Sequence, residues 1–286
     1  MMVEGWKYYN HAAIPTTPPH IVPNLSPLED GSIWDKGVCL VRWNSDWDCS
    51  HETEWWYCIK DTPFDIQSLK SKRRYEINKG NRNFSVKKID PLEFKDDLYS
   101  VTLAAYSGWP EKYRPKVSKE VFFKQIEGWS SADVFAGFDV GNGHMEGYAQ
   151  LMDYGSYVEF SVLRTVPDAE KKAVNAAMVS AILEFYRDRF TGEFYISDGS
   201  RAIRHETEFQ NYLEKYFCFR KAYCRLNIRY RVDFGILVQL LYPFREMITS
   251  DSGLGCKISG ILKMEKIRRS FRKGKIKQLC ADDSAK

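Results

Sequence analysis

The chain has 286 residues, 44% hydrophobic and 28% charged, with a net charge of +4. That is ample for a buried core and too balanced for a protein that binds nucleic acid over its whole surface. Seven cysteines, an odd number without a C-x-x-C pair, argue against a disulfide framework and a standard zinc site, and no metal is expected. The N-terminus shows no charged segment followed by an apolar run, and the most apolar stretch, "FGILVQLLYPF" (234–244), is too short to span a bilayer. One large domain or two smaller ones in the cytoplasm are expected.

Residues 1–33, rich in proline and polar residues ("IPTTPPHIVPNLSP"), read as an extended arm with Trp6, Tyr8 and Tyr9 tucked inward. "GVCLVRW" (37–43) and "EWWYCIK" (54–60) read as strands. A helix over 64–80 follows. Within 70–83, "KSKRRYEINKGNRN", six cations accompany one anion. Ile66, Leu69 and Ile77 give this helix an apolar edge and leave Lys72, Arg73, Lys79 and Arg82 free to reach outward. "FSVKKI" (84–89) alternates as a strand does. Helices are expected over 92–107 and 118–129, the second N-capped by Ser118. Strands over 132–140, 144–153 and 157–163, separated by "GNG" and "YGS", form an antiparallel meander.

A long helix over 168–190 comes next, with a small-residue face of Ala173, Ala176, Ala177, Ser180 and Ala181 suited to close packing on a sheet. A strand (192–197), a helix (207–217) opened by a Thr207-x-x-Gln210 capping box, and a strand with the alternation of a sheet edge (219–232) complete the order. The densest polar stretch is "SDGSRAIRHETEF" (197–209), between a strand end and a helix start, where ligands commonly sit. His205 is a candidate base, and Arg201 and Arg204 are candidates to hold a phosphate or carboxylate. Residues 257–277 carry nine Lys or Arg and one Glu. On a helix, Ile258, Ile261, Met264, Ile267 and Phe271 would form a stripe flanked by Lys263, Lys266, Arg269 and Lys273. That pattern reads either as peripheral contact with the inner membrane leaflet or as ordinary docking on the chain's own domain.

From 84 to 232 the order is strand, two helices, three meandering strands, long helix, strand, helix, strand, and it resembles the GNAT N-acyltransferases. The basic helix "SLKSKRRYEINKGNRNFSVKKI" and the ending "FQNYLEKYFCFRKAYCRL" resemble the Fem-type (FemAB-like) acyl- and aminoacyltransferases. The resemblance implies an α+β fold, a largely antiparallel central sheet flanked by helices, over 55–232. An N-terminal region (1–54) and a C-terminal extension (233–286) would flank it. It also implies an N-acyltransferase using acyl-CoA or aminoacyl-tRNA as co-substrate, with no permanently bound cofactor. The acceptor would be an amine of an amino sugar or amino acid, for instance a glycan precursor of the cell envelope. The alternatives are a non-catalytic ligand-binding module and a tRNA-dependent aminoacyltransferase, tRNA being the one nucleic acid expected as a partner.

In that fold "YVEFSVL" and "EFYISDGS" would be the splayed strand pair, with Glu159 and Asp198 as candidate bases. Lys72, Arg73, Arg74 and Lys79 would edge the acceptor cleft and bind a diphosphate or similar anion. The GNAT phosphate turn (Q/R)-x-x-G-x-(G/A) is replaced by "LRTVPDAEKKAVNAAM", which has no glycine. Arg164, Lys171 and Lys172 are its candidates for cofactor contact, while Asp168 and Glu170 oppose an anion there.

Overall fold

The computed structural model describes residues 3–34, 37–203, 208–248 and 253–271. In chain order its elements are β1 (Trp6–Tyr9), β2 (Ala12–Pro15), α1 (Ser26–Glu29), β3 (Leu40–Ser45), β4 (Trp55–Lys60), α2 (Ser71–Asn83), β5 (Phe84–Ile89), α3 (Lys95–Ser107) and α4 (Lys119–Glu127). Then come β6 (Ala132–Asp139), β7 (Met145–Asp153), β8 (Tyr157–Thr165), α5 (Pro167–Glu170), α6 (Val174–Phe185), β9 (Tyr195–Ser200), α7 (Glu208–Phe217), β10 (Arg220–Tyr230), α8 (Val232–Leu241) and α9 (Gly253–Ser270). The chain divides into two compact units, one of residues 1–58, 200–207 and 221–286, the other of 59–199 and 208–220.

In the first unit the N-terminal segment is not the extended arm expected. β1 and β2 form a hairpin, with Tyr9 opposite Ala12, turned by Asn10 and His11 at φ +48° and +62°. Two left-handed residues make the primed turn that matches strand twist, and Asn tolerates that region well. β2 then pairs in parallel with β3, and β3 pairs antiparallel with β10. Trp6 is buried, but Tyr9 stands 65% exposed. β10 is no edge strand: it has β3 on one side and β4 on the other. Its alternation arises because one face is covered, with Cys224, Leu226 and Ile228 packed against Trp55, Met264 and Ile267.

Of the α9 stripe, Met264 and Ile267 thus pack on the chain's own unit, and Ile258, Ile261 and Phe271 are half-buried. Lys273 and the rest of the tail lie outside the described residues. Glu265, buried among Arg268, Arg269 and the Tyr230 hydroxyl, is held by all three. Among the described residues no helix is long and apolar enough to cross a membrane.

The second unit is a mixed sheet in the order β9-β8-β7-β6-β5. β5 to β8 form the expected antiparallel meander, and β9 joins β8 in parallel. One face is covered by α3 and α4, where Leu98, Val101, Phe122 and Ile126 pack on Val134, Ala136 and Tyr148. α6 packs against the sheet as well, burying Ala176, Ala177, Met178, Ile182 and Leu183.

Two helices differ from expectation. α2 starts at Ser71 and not at 64, because the Asp65 side chain accepts from Gln67 N at 2.8 Å and Leu69 turns extended. The helix expected over 168–190 is broken: α5 is a single turn, Ala173 sits at φ +69°, and α6 ends at Phe185. Close packing explains the small residues here. A Cβ on Gly80 of α2 would lie 2.4 Å from the Ala173 carbonyl oxygen and 2.9 Å from the Ala177 nitrogen, so only glycine lets α2 approach α6 this closely.

Candidate active site

The parallel pair β8–β9 is joined from Tyr157↔Tyr195 to Glu159↔Ser197 and no further. β8 runs on to Thr165 and β9 to Ser200, so the two strands separate and open a cleft. On its other side β8 shifts register against β7: Gln150 faces Val162 while Leu151 faces Phe160. Ser161 is thus the extra residue of a β-bulge, which leaves its backbone outside the ladder and bends the strand. The cleft has a volume of about 280 Å³ and is lined by Phe160, Ser161, Val162, Leu163, Thr165, Glu170, Asn175, Asp198 and Phe209.

Asp198 stands at the end of the paired part of β9. The next residue, Gly199, has φ +80°, and a Cβ there would lie 3.4 Å from Glu159 Oε1. Glycine supplies the left-handed backbone, and the Glu159 carboxylate lies close beside it. The Ser197 hydroxyl accepts from Gly199 N at 2.9 Å, and the buried Gln210 amide of α7 donates to the Asp198 carbonyl at 3.2 Å. Burial pushes the Asp198 carboxyl up to about 7; the negative charge of Glu159 adds to the rise and the Gln210 hydrogen bond opposes it. A carboxyl tuned to neutrality can take or give a proton at working pH. Asp198 and Glu159, nominated from sequence, are thus brought together.

The far wall of the cleft is rich in acceptors. Thr165 Oγ1 donates to Glu170 Oε1 at 3.0 Å. Asn175 Oδ1 is buried and meets no hydrogen-bond donor among the described residues. Sequence reasoning missed Thr165, Glu170 as a lining residue, and Asn175. All three lie in the glycine-free segment "LRTVPDAEKKAVNAAM" that the sequence analysis singled out.

The segment does not fit a CoA diphosphate. The N–H groups of Lys172 and Ala173 are taken by the carbonyls of Ala169 and Glu170, and Asp168 and Glu170 bring negative charge to a helix start that would otherwise favour an anion.

The other nominated residues lie elsewhere. Lys171 pairs with Asp168 at 2.9 Å and Lys172 with Asp139 at 2.7 Å. Arg164 lies over the Tyr106 ring and donates to its hydroxyl at 3.1 Å. Lys79 donates to the Lys171 carbonyl at 2.6 Å, and Asn83 to that of Lys172 at 3.1 Å, so Lys79 braces the segment ahead of α6. Arg74 turns back to Gln67 at 3.3 Å. Lys72 is exposed and Arg73 half-buried on α2. Arg201 belongs to the first unit, where it holds the Glu54 carbonyl at 2.8 Å and its carboxylate at 3.3 Å. Arg204, His205 and Thr207 of the capping box lie outside the described residues.

A meander closed by a parallel strand that splays from it, with helices on both faces, is a GNAT-like acyltransferase fold. Solved structures of that kind align along most of the chain. The C-terminal domain, from Agrobacterium fabrum, assigned to a lysylphosphatidylglycerol synthetase is 11% identical, covers 82% of each chain and has a TM-score of 0.52. L-PGS from Bacillus licheniformis is 12% identical, with 84% of each chain covered and a TM-score of 0.51. FemX is 11% identical over 82% of this chain and 85% of its own, with a TM-score of 0.52. At such identities the likeness is one of fold. No family model matches the chain, and no curated protein does either.

Proposed function

We propose that the chain is an acyltransferase of the Fem type, which moves an amine-bearing acyl group from an activated ester to an amine. The observation that carries this reading is the splayed β8–β9 pair with Asp198, tuned to about 7, at its opening. The acceptor amine loses its proton to Asp198 and its nitrogen attacks the acyl carbonyl carbon. The tetrahedral intermediate then collapses as Asp198 returns the proton to the leaving oxygen or sulfur, so that a C–N bond forms, the C–O or C–S bond breaks and the donor leaves as its alcohol or thiol. The bulge at Ser161 frees a backbone N–H of the kind that stabilises such an oxyanion. No covalent enzyme intermediate is required, because among the described residues no Ser or Cys of the lining has a base arranged to activate it.

The lining favours an aminoacyl donor over acetyl-CoA. Glu170, Asn175 Oδ1 and Asp198 present acceptors and no cation among the described residues lines the cleft, which suits an ammonium group and repels a diphosphate. Lys72 and Arg73, outward on α2, remain our candidates for an anionic part of the acceptor, consistent with a glycan precursor or a phosphorylated amino sugar. The test is to incubate the full chain with radiolabelled aminoacyl-tRNAs or with acetyl-CoA and a panel of amino sugars and amino acids. Transfer from aminoacyl-tRNA that D198N abolishes is the expected result. Binding of a nucleotide sugar with no transfer from either donor would instead identify a non-catalytic binding module.

A further inference from the structure

Away from the cleft, α8 turns an apolar face outward. At 100° per residue, Val232, Ile236, Leu240 and Leu237 fall within an arc of about 140°. Phe244 and Met247 continue the run beyond the helix end. Val232 is 80% exposed, Leu240 65% and Met247 81%, and Ile236, Leu237 and Phe244 are each about half exposed. Val238 alone is buried among the residues of α8. Six large aliphatic or aromatic side chains in 16 residues form a contiguous patch, which soluble surfaces seldom leave open without a partner.

Charge decides which partner. Residues 231–286 hold twelve Lys and Arg against six Asp and Glu, net +6, and leave residues 1–230 at net −2. The chain's positive charge is therefore concentrated in the segment that carries the apolar face. The two are also adjacent in space: Lys266 of α9 reaches Glu246, between Phe244 and Met247, at 3.3 Å, and Lys257 and Lys263 of the same helix are exposed. A second copy would bring a like-charged segment to the contact, which is repulsive. An anionic surface with an apolar interior matches both features.

We propose that α8 and the turn after it dock on an anionic lipid bilayer. Ile236, Leu240, Phe244 and Met247 would enter the acyl boundary, and the α9 lysines would face the headgroups. Met264 and Ile267 of α9 play no part, being packed inside their own unit. The inference is independent of the proposed reaction.

The experiment is sedimentation of the full chain with phosphatidylcholine vesicles and with vesicles containing 30% phosphatidylglycerol, at low and high salt, for wild type and for I236S/L240S. Wild type should bind the anionic vesicles at least about tenfold more tightly than the neutral ones, and high salt should remove that preference. The double variant should lose at least about tenfold in vesicle binding with its melting temperature kept. If that variant fails to fold, V232S/M247S, at the two most exposed positions, takes its place. Equal binding by wild type and folded variant overturns the proposal, as does equal binding to both vesicles. A concentration-dependent dimer that the variant abolishes, without vesicle binding, would assign the face to a second copy and overturn it too.

Discussion

Replacing Asp198 with Asn keeps the side chain's shape and removes its charge. Burial and Glu159 raise this carboxyl from 3.8 to about 7, so the folded chain keeps a proton that the unfolded chain releases from about pH 4 upward. Stability contributed by this group is thus present at low pH and falls as pH rises from about 4 to about 7. Three units at 1.36 kcal/mol each make the whole loss about 4 kcal/mol, of which about 3 falls between pH 5 and pH 8. At about 2 °C per kcal/mol for a chain of this size, the melting temperature of wild type should drop by about 5 °C relative to D198N over that interval. Melting curves of both proteins by circular dichroism at pH 5 and pH 8 measure this directly. Turnover should show a limb near pH 7 in wild type and fall by about 10²–10⁴ in D198N, the usual worth of a positioned base. If the gap in melting temperature is the same at both pH values, Asp198 is not the perturbed group. If D198N turns over as wild type does, the base lies elsewhere.

Four further outcomes are expected. E159Q should lower the pKa of Asp198 and move the limb of the activity profile to lower pH, since Glu159 contributes to the rise; an unmoved limb would show that the two carboxylates are uncoupled. G80A should cost about 1–3 kcal/mol in a denaturant titration, because its methyl group meets the Ala173 carbonyl and the backbone of α6. A173G should raise the melting temperature and A173V lower it, because the left-handed conformation at Ala173 costs an L residue about 1 kcal/mol that glycine avoids. K79A should lose about 1 kcal/mol with the hydrogen bond to Lys171, whereas K72E should stay within about 0.5 kcal/mol and weaken only the binding of an anionic acceptor.

The sequence alone determined the order of elements through the second unit, because each meander strand is bounded by its own turn: "GNG" and "YGS" end β6 and β7 by local backbone chemistry. The splayed pair with Glu159 and Asp198 was legible through the resemblance of that order. What local pattern could not decide was where side chains went once several elements met. Lys79, Lys171 and Lys172 read as cations awaiting a ligand, and tertiary structure spends them on a carbonyl, Asp168 and Asp139. Gln210 read as a helix cap, and it reaches a strand carbonyl twelve residues away. The long helix breaks at Ala173, where Gly80 of another helix lies close against its carbonyl, a contact between residues far apart in sequence. The two C-terminal helices make the point most plainly. Both α8 and α9 have enough apolar residues to dock, and periodicity cannot say which one does. Met264 and Ile267 of α9 pack on the sheet of the first unit, and the apolar face of α8 is left outside.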